Sequence, residues 1–404
     1  MSYRDAWRGF SKDAKLFLLI TLLTSLSTGG FSVLFGIAVL RLGQTESFLG
    51  SILAVGIFAS GVLALPAGLL VDWRGLKSVL LAALGLTGLG LLGQALWPLG
   101  SPAFGFAFLF GAGQAMFGVV SMPLLAENST AADRAALFSL NFTLTMLGQV
   151  LGSLSAGKLP TLLPLQTSLV ILSLLQSLAF LLAVGVRQRT TPTKVRQNIW
   201  SECLAALRHS SLARDVSIYN GLIGLGAGLV IPFFNIFLTE RLRSSTEVVG
   251  VVMSMAQVVM AVAGLFAPLM MKRLGKARAV VFSQLLSIPF LLLIAVPQAL
   301  WLVVASFLLR SALMNMNNPL SASLIMEITP ANQRATISSF INMSQNLMRG
   351  CSAALGGWLM QKAGYSLPYF LTAGLYLLAA VHYWRAFLPR EREFSQQAGR
   401  TLPR

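Results

Sequence analysis

Twelve stretches of this chain run for roughly 20 residues or more with almost no charge. They lie near 16–40, 47–71, 78–97, 101–124, 136–158, 164–186, 216–239, 247–271, 279–296, 300–325, 336–361 and 366–388. A helix rises 1.5 Å per residue and the hydrocarbon core of a bilayer is about 30 Å thick, so about 20 apolar residues cross it. Of the 404 residues, 55% are hydrophobic and only 11% are charged. An ordinary soluble domain is about 25% charged, so water cannot be the solvent over most of this surface. The Gly and Pro inside the runs are tolerated in lipid-embedded helices. Strands of alternating polarity are absent, which excludes an outer-membrane barrel. The first run follows Arg4, Arg8, Lys12 and Lys15 like a secretory leader. It is about twice as long as a leader's apolar region and no small-residue cleavage site follows, so it reads as a retained span.

The charge balance is +17, from 30 Lys and Arg against 13 Asp and Glu. With the N-terminus inside and the spans alternating, cytoplasmic segments hold 23 of the basic residues, external ones five, and spans two. This is the positive-inside pattern, with both termini cytoplasmic and the chain in a plasma or inner membrane. The basic residues are spread over seven segments rather than gathered in one stripe, so nucleic acid is not an expected partner. Cys203 and Cys351 stand apart, one in a polar segment and one in a span. They imply neither a disulfide nor a metal cluster.

Sliding the chain against itself by 200 positions aligns span ends. Arg41, Leu42 and Gly50 face Arg241, Leu242 and Gly250; Gly75 faces Gly275. Glu127, Ala131, Arg134 and Ala135 face Glu327, Ala331, Arg334 and Ala335. The expected organisation is therefore a six-helix bundle over 1–186, a cytoplasmic linker over 187–215 and a second six-helix bundle over 216–404. Trp200–Leu207 within the linker reads as an amphipathic helix at the membrane surface. Six spans per half is an even number, so the halves share one orientation and form a parallel repeat about the membrane normal.

After the second span the chain reads Gly68-Leu-Leu-Val-Asp72-Trp-Arg-Gly75-Leu-Lys77. With the span count and the repeat, this resembles the major facilitator superfamily, whose loop signature is G-x-x-x-D-x-x-G-x-[RK]. The resemblance implies an all-α membrane protein of two six-helix halves that moves a solute by alternating access. In the family this loop latches the halves on the cytoplasmic side. Gly68 is expected to let two helices approach, Gly75 to permit a tight turn, and Asp72 to face a helix N-terminus or a cation. The second half keeps Gly275 and basic neighbours but has no acid at the place of Asp72. The fifth span has Ser153 where drug/proton antiporters carry Pro, and Gly111 stands where they place an Arg. Both departures weigh against proton/drug antiport.

None of the 13 acids sits near the middle of a span, but Arg310 and Arg349 do. Ionisable groups at that depth are functional candidates. A guanidinium fork there suits an anionic or zwitterionic solute or a lipid-like amphiphile; the alternative is a cation that only caps neighbouring amides and carbonyls. Asn342, Gln345, Asn346 and Arg349 share a helical stripe, as do Asn141, Thr145 and Gln149. The family's first, fourth, seventh and tenth spans line its cavity, which favours Gln114, Asn220, Arg310 and Asn315. Any one of these amides serves equally well as an interhelical hydrogen bond. Glu127 and Glu327 are candidates for ion coupling, or for ion pairs with Arg134 and Arg334 or with helix ends.

No cofactor or metal is expected, and the spans offer no constellation for an enzyme. The expected partners are a small or amphiphilic solute and the bilayer, with the chain as a monomer and ion coupling left open. The principal rival is a proton-coupled multidrug efflux antiporter; a more distant one is a receptor or scaffold on the same fold. Substrate, direction and coupling are not written in the sequence.

Overall fold

The computed structural model describes residues 10–130, 134–187, 210–296, 299–330 and 333–401. Among them twelve long helices follow one another without a strand. They are α1 Lys12–Arg41, α2 Glu46–Arg74, α3 Leu76–Leu96, α4 Ser101–Glu127, α5 Arg134–Leu162, α6 Leu165–Val184, α7 Ser211–Val230, α8 Thr246–Leu274, α9 Lys276–Ala295, α10 Leu300–Ile328, α11 Arg334–Ala363 and α12 Ser366–Thr401. Each apolar run of the sequence falls largely on one of them, that near 216–239 running past α7 into the segments that follow it. The surface helix expected at Trp200–Leu207 lies outside the described residues, as do Cys203 and His209.

Ten helices, α7 with its extension among them, are long and apolar enough to cross a membrane. The other two, α11 and α12, are long but more polar. The first carries Asn342, Gln345, Asn346 and Arg349, and the second carries three tyrosines, His382 and a charged C-terminal turn. Bounds follow local chemistry. Ser11, Thr45 and Ser210 open α1, α2 and α7, each hydroxyl accepting from the backbone N–H three residues on. Gly75 and Gly275 make the α2–α3 and α8–α9 turns at φ 81°, ψ 164° and φ 81°, ψ 165°. That region is essentially closed to side-chain-bearing residues. The 200-residue repeat thus reaches backbone geometry.

Beyond Val230, α7 continues through a 3₁₀ turn at Ile231–Phe233, one α turn at Phe234–Ile236 and a π-helical stretch at Phe237–Arg241. Pro232 sits in this break, where it removes a helix donor.

The chain forms two compact units. The first gathers α1–α6 with Phe233–Gln257. Within it α1 packs on α5 and α6, and α3 on α4 and α6. Phe17, Leu80, Leu124, Leu137 and Ala183 form part of its core. The α1–α5 approach is close enough that a Cβ on Gly152 would stand 2.3 Å from the Leu26 carbonyl oxygen. Asn235 joins this unit by donating Nδ2 to the Val33 carbonyl at 2.7 Å.

The second unit gathers α7 up to Pro232 with the chain from Val258 onward. Here α7 packs on α11 and α12, and α9 on α10 and α12, the same order six helices later. Glu391 on α12 receives the Lys276 and Ala277 backbone N–H groups at 2.6 and 3.1 Å, capping α9 with a negative charge.

Candidate functional site: a cavity in the second unit

Helices α7, α10 and α11 enclose a cavity of about 260 Å³. The first contributes Tyr219, Asn220 and Ile223; α10 contributes Met314, Asn317, Asn318 and Ser321; α11 contributes Ile341 and Gln345. No residue of the wall is charged. Helical spacing explains why these positions meet. Met314, Asn317 and Ser321 lie at three- and four-residue intervals on one face of α10, as Ile341 and Gln345 do on α11.

Continuing each stripe by one turn away from the cavity reaches an arginine. Arg310 precedes Met314 by four residues, and Arg349 follows Gln345 by four. Arg310 is 4% exposed, donates Nη2 to the Tyr376 hydroxyl at 3.2 Å and lies 5.8 Å from that ring's centre. Its Nε is buried without a partner among the described residues. Arg349 is half-buried and makes no side-chain hydrogen bond or ion pair with a described residue, though Tyr376 is within its electrostatic reach. Neither guanidinium bonds to a described carboxylate.

A buried polar chain ties the cavity wall to Arg310. The Tyr219 hydroxyl donates to Gln284 Oε1 at 3.4 Å, and Gln284 Nε2 donates to the Tyr376 carbonyl at 2.8 Å. Ser283 Oγ donates to Asn317 Oδ1 at 2.6 Å. Sequence reasoning passed over Ser283, Gln284, Ser321 and Tyr376. Ser321 could have been found from its spacing to Asn317. Gln284 and Tyr376 could not, because one sits alone in an apolar run and the other reads as an aromatic core residue.

Of the residues singled out in the sequence, Asn220 and Gln345 line the cavity. Asn220 also donates to the Val216 carbonyl at 2.9 Å. Neither Arg310 nor Arg349 is in the wall; each stands one turn beyond it. Asn315 is engaged between helices, bonding to the Ser311 carbonyl and the Met260 sulfur. Asn342 is exposed and donates to Ser338 one turn back, so the α11 stripe does not act as one surface.

In the first unit, Gln114 is half-buried with Oε1 lacking a partner among the described residues. Gln149 marks a helix crossing, its Cα 3.0 Å from where a Cβ on Gly29 would stand. In the loop motif, Gly75 makes the turn as expected and Lys77 Nζ caps α6 through the Val184 carbonyl at 3.0 Å. At Gly68 a Cβ would meet nothing within 4 Å among the described residues, so the close helix approach expected there is not made by them. Asp72 is exposed, with no hydrogen-bond or ion-pair partner among the described residues.

The expected Glu327–Arg334 pair is replaced by an ion pair between Glu327 and Lys276, because the α9 N-terminus packs beside the end of α10. Arg134 and Arg334 instead reach back five residues each, to the Ser129 hydroxyl at 3.2 Å and the Thr329 carbonyl at 3.4 Å. That is again one arrangement made twice. Glu127 is half-buried near the end of α4.

Comparison with known proteins places this geometry. A family model described as Major Facilitator Superfamily matches residues 17–219 and again 216–401. The multidrug resistance protein MdtH of Edwardsiella ictaluri (strain 93-146) is 25% identical over 171 residues, 42% of either chain. The chain thus matches about two-fifths of the length of that curated relative. A mutant of the nucleoside transporter NupG superposes with a TM-score of 0.79 at 16% identity, over 93% of this chain and 100% of that one. The human organic anion transporter MFSD10 (TETRAN) superposes with a TM-score of 0.64 at 18% identity, over 92% and 100%.

Proposed function

The chain belongs to the major facilitator superfamily, and on that premise we propose that it is a secondary transporter that moves a small anionic or zwitterionic organic solute by alternating access. Its two halves, 1–186 and 216–404 with the 187–215 linker between them, alternate the access of the solute from one side of the membrane to the other. The chain is a monomer in the plasma membrane with both termini cytoplasmic.

One observation carries the solute class. The cavity wall mixes amides and hydroxyls with apolar side chains, and one turn beyond it on α10 and α11 stand arginines that have no described acid beside them. Taking a guanidinium out of water costs several kcal/mol unless a counter-charge or a full set of hydrogen bonds repays it. Arg310 recovers part of that from Tyr376, whereas Arg349 has no comparable contact. An incoming carboxylate or phosphate supplies what is missing. Flux into liposomes holding the purified chain tests the reading. Anion uptake that is lost in Arg349→Gln supports it; no accelerated flux of any anion, zwitterion or drug refutes it.

The second reading is multidrug efflux, supported by the match to MdtH and by Met314, Ile223 and Ile341 as adaptable apolar contacts. It predicts that Arg349→Gln leaves transport of apolar drugs unchanged. Ion coupling separates from uniport by whether flux responds to an imposed pH gradient.

A further inference from the structure

The two deep arginines stand in different surroundings. Arg310 bonds through Nη2 to Tyr376 and is almost wholly enclosed. Arg349 is half-buried, lacks any such commitment and lies one turn from the cavity-lining Gln345. The rest of the wall is neutral, with amides from Asn220, Asn317, Asn318 and Gln345.

We propose that the site takes a small solute bearing one negative charge, a monocarboxylate with hydroxyl or amide groups. Its carboxylate meets Arg349 and its uncharged groups meet the amides. This rests on the transporter reading and narrows it. One guanidinium without a described hydrogen-bond partner matches one carboxylate in a two-bond fork. A second carboxylate would have to lie against neutral amides, and an unpaired charge out of water is strongly unfavourable. An apolar tail would displace water from the amide groups of the wall without replacing its hydrogen bonds. The volume of about 260 Å³ also lies below the roughly 300–1,000 Å³ that drug-sized ligands occupy.

The experiment is thermal unfolding of the purified full chain with matched probes. Lactate, gluconate and N-acetylglycine are compared with malate, glucarate and N-acetylaspartate, with neutral glycerol and sorbitol, and with lysophosphatidylglycerol. At least one monocarboxylate should raise the melting temperature, with its dicarboxylate partner binding about tenfold or more weakly because of the second unpaired charge. Arg349→Gln should remove the effect and Arg349→Lys should keep part of it, while without ligand Arg349→Gln should melt at or above the wild type, since it removes a partly buried charge that nothing described repays.

The proposal is overturned if a dicarboxylate or the lysolipid stabilises more than every monocarboxylate. It is overturned equally if no monocarboxylate acts, or if Arg349→Gln binds like the wild type. Liposome flux then separates the two readings. Transport of a dianion, lysolipid or cationic drug would refute the charge assignment and leave a transporter. Monocarboxylate binding at Arg349 without flux or exchange would keep the site and refute the transporter.

Discussion

Gly228→Ala on α7 tests how closely the helix that walls the cavity is held to the helix that carries Arg349. A Cβ at Gly228 would stand 2.0 Å from Ser352 Oγ and 2.3 Å from the Arg349 backbone oxygen, where ordinary contact begins near 3.4 Å. The hydroxyl can rotate away but the carbonyl cannot, so α7 and α11 must part by about 1 Å in a tightly packed interior. Overpacking of this kind costs about 1–3 kcal/mol, and a radial gap of about 0.5–1 Å forfeits roughly a quarter to a half of each dispersion contact. Gly221→Ala, two turns earlier on the same helix, is the control. Its nearest neighbour is the flexible Met348 Cγ at 3.4 Å, and alanine gains about 1 kcal/mol of helix propensity. The two substitutions should therefore differ by about 2–4 kcal/mol. In detergent, thermal unfolding should place Gly228→Ala several degrees below the wild type and Gly221→Ala at or slightly above it. If Gly228→Ala melts with or above Gly221→Ala, the α7–α11 contact is not the close one described, and the placement of Arg349 beside the cavity loses its basis.

Three further outcomes follow from the same contacts, each read as melting temperature. Gly75→Ala and Gly275→Ala should each cost about 1–3 kcal/mol, because their backbone region is closed to a Cβ. As the turns are separate, the double variant should be additive within about 0.5 kcal/mol. Glu391→Gln should lower stability by about 0.5–2 kcal/mol through loss of the charged cap on α9; an unchanged melting temperature would count against that cap. Tyr376→Phe should destabilise by about 1–3 kcal/mol, since it strips the acceptor from buried Arg310. Arg310→Met, which removes the charge at similar length, should be neutral or stabilising. The reverse order would mean that Arg310 is better solvated than its burial indicates.

The division between what the sequence and the structure each decided follows from the range of the forces involved. Hydropathy and helix chemistry are local. The twelve runs and the turn at Gly75 were legible because each is set within a few residues, and the 200-residue repeat because it copies those local signals. The positions of Arg310 and Arg349 well inside α10 and α11 were legible too, since place along a helix is arithmetic on sequence position. Rotation about the helix axis and the identity of the facing side chain were not. They depend on how helices distant in sequence cross. Only the tertiary structure could turn Arg310 toward Tyr376, pair Glu327 with Lys276 rather than Arg334, leave Gly68 in open space, and bring Asn220, Asn317 and Gln345 to one cavity.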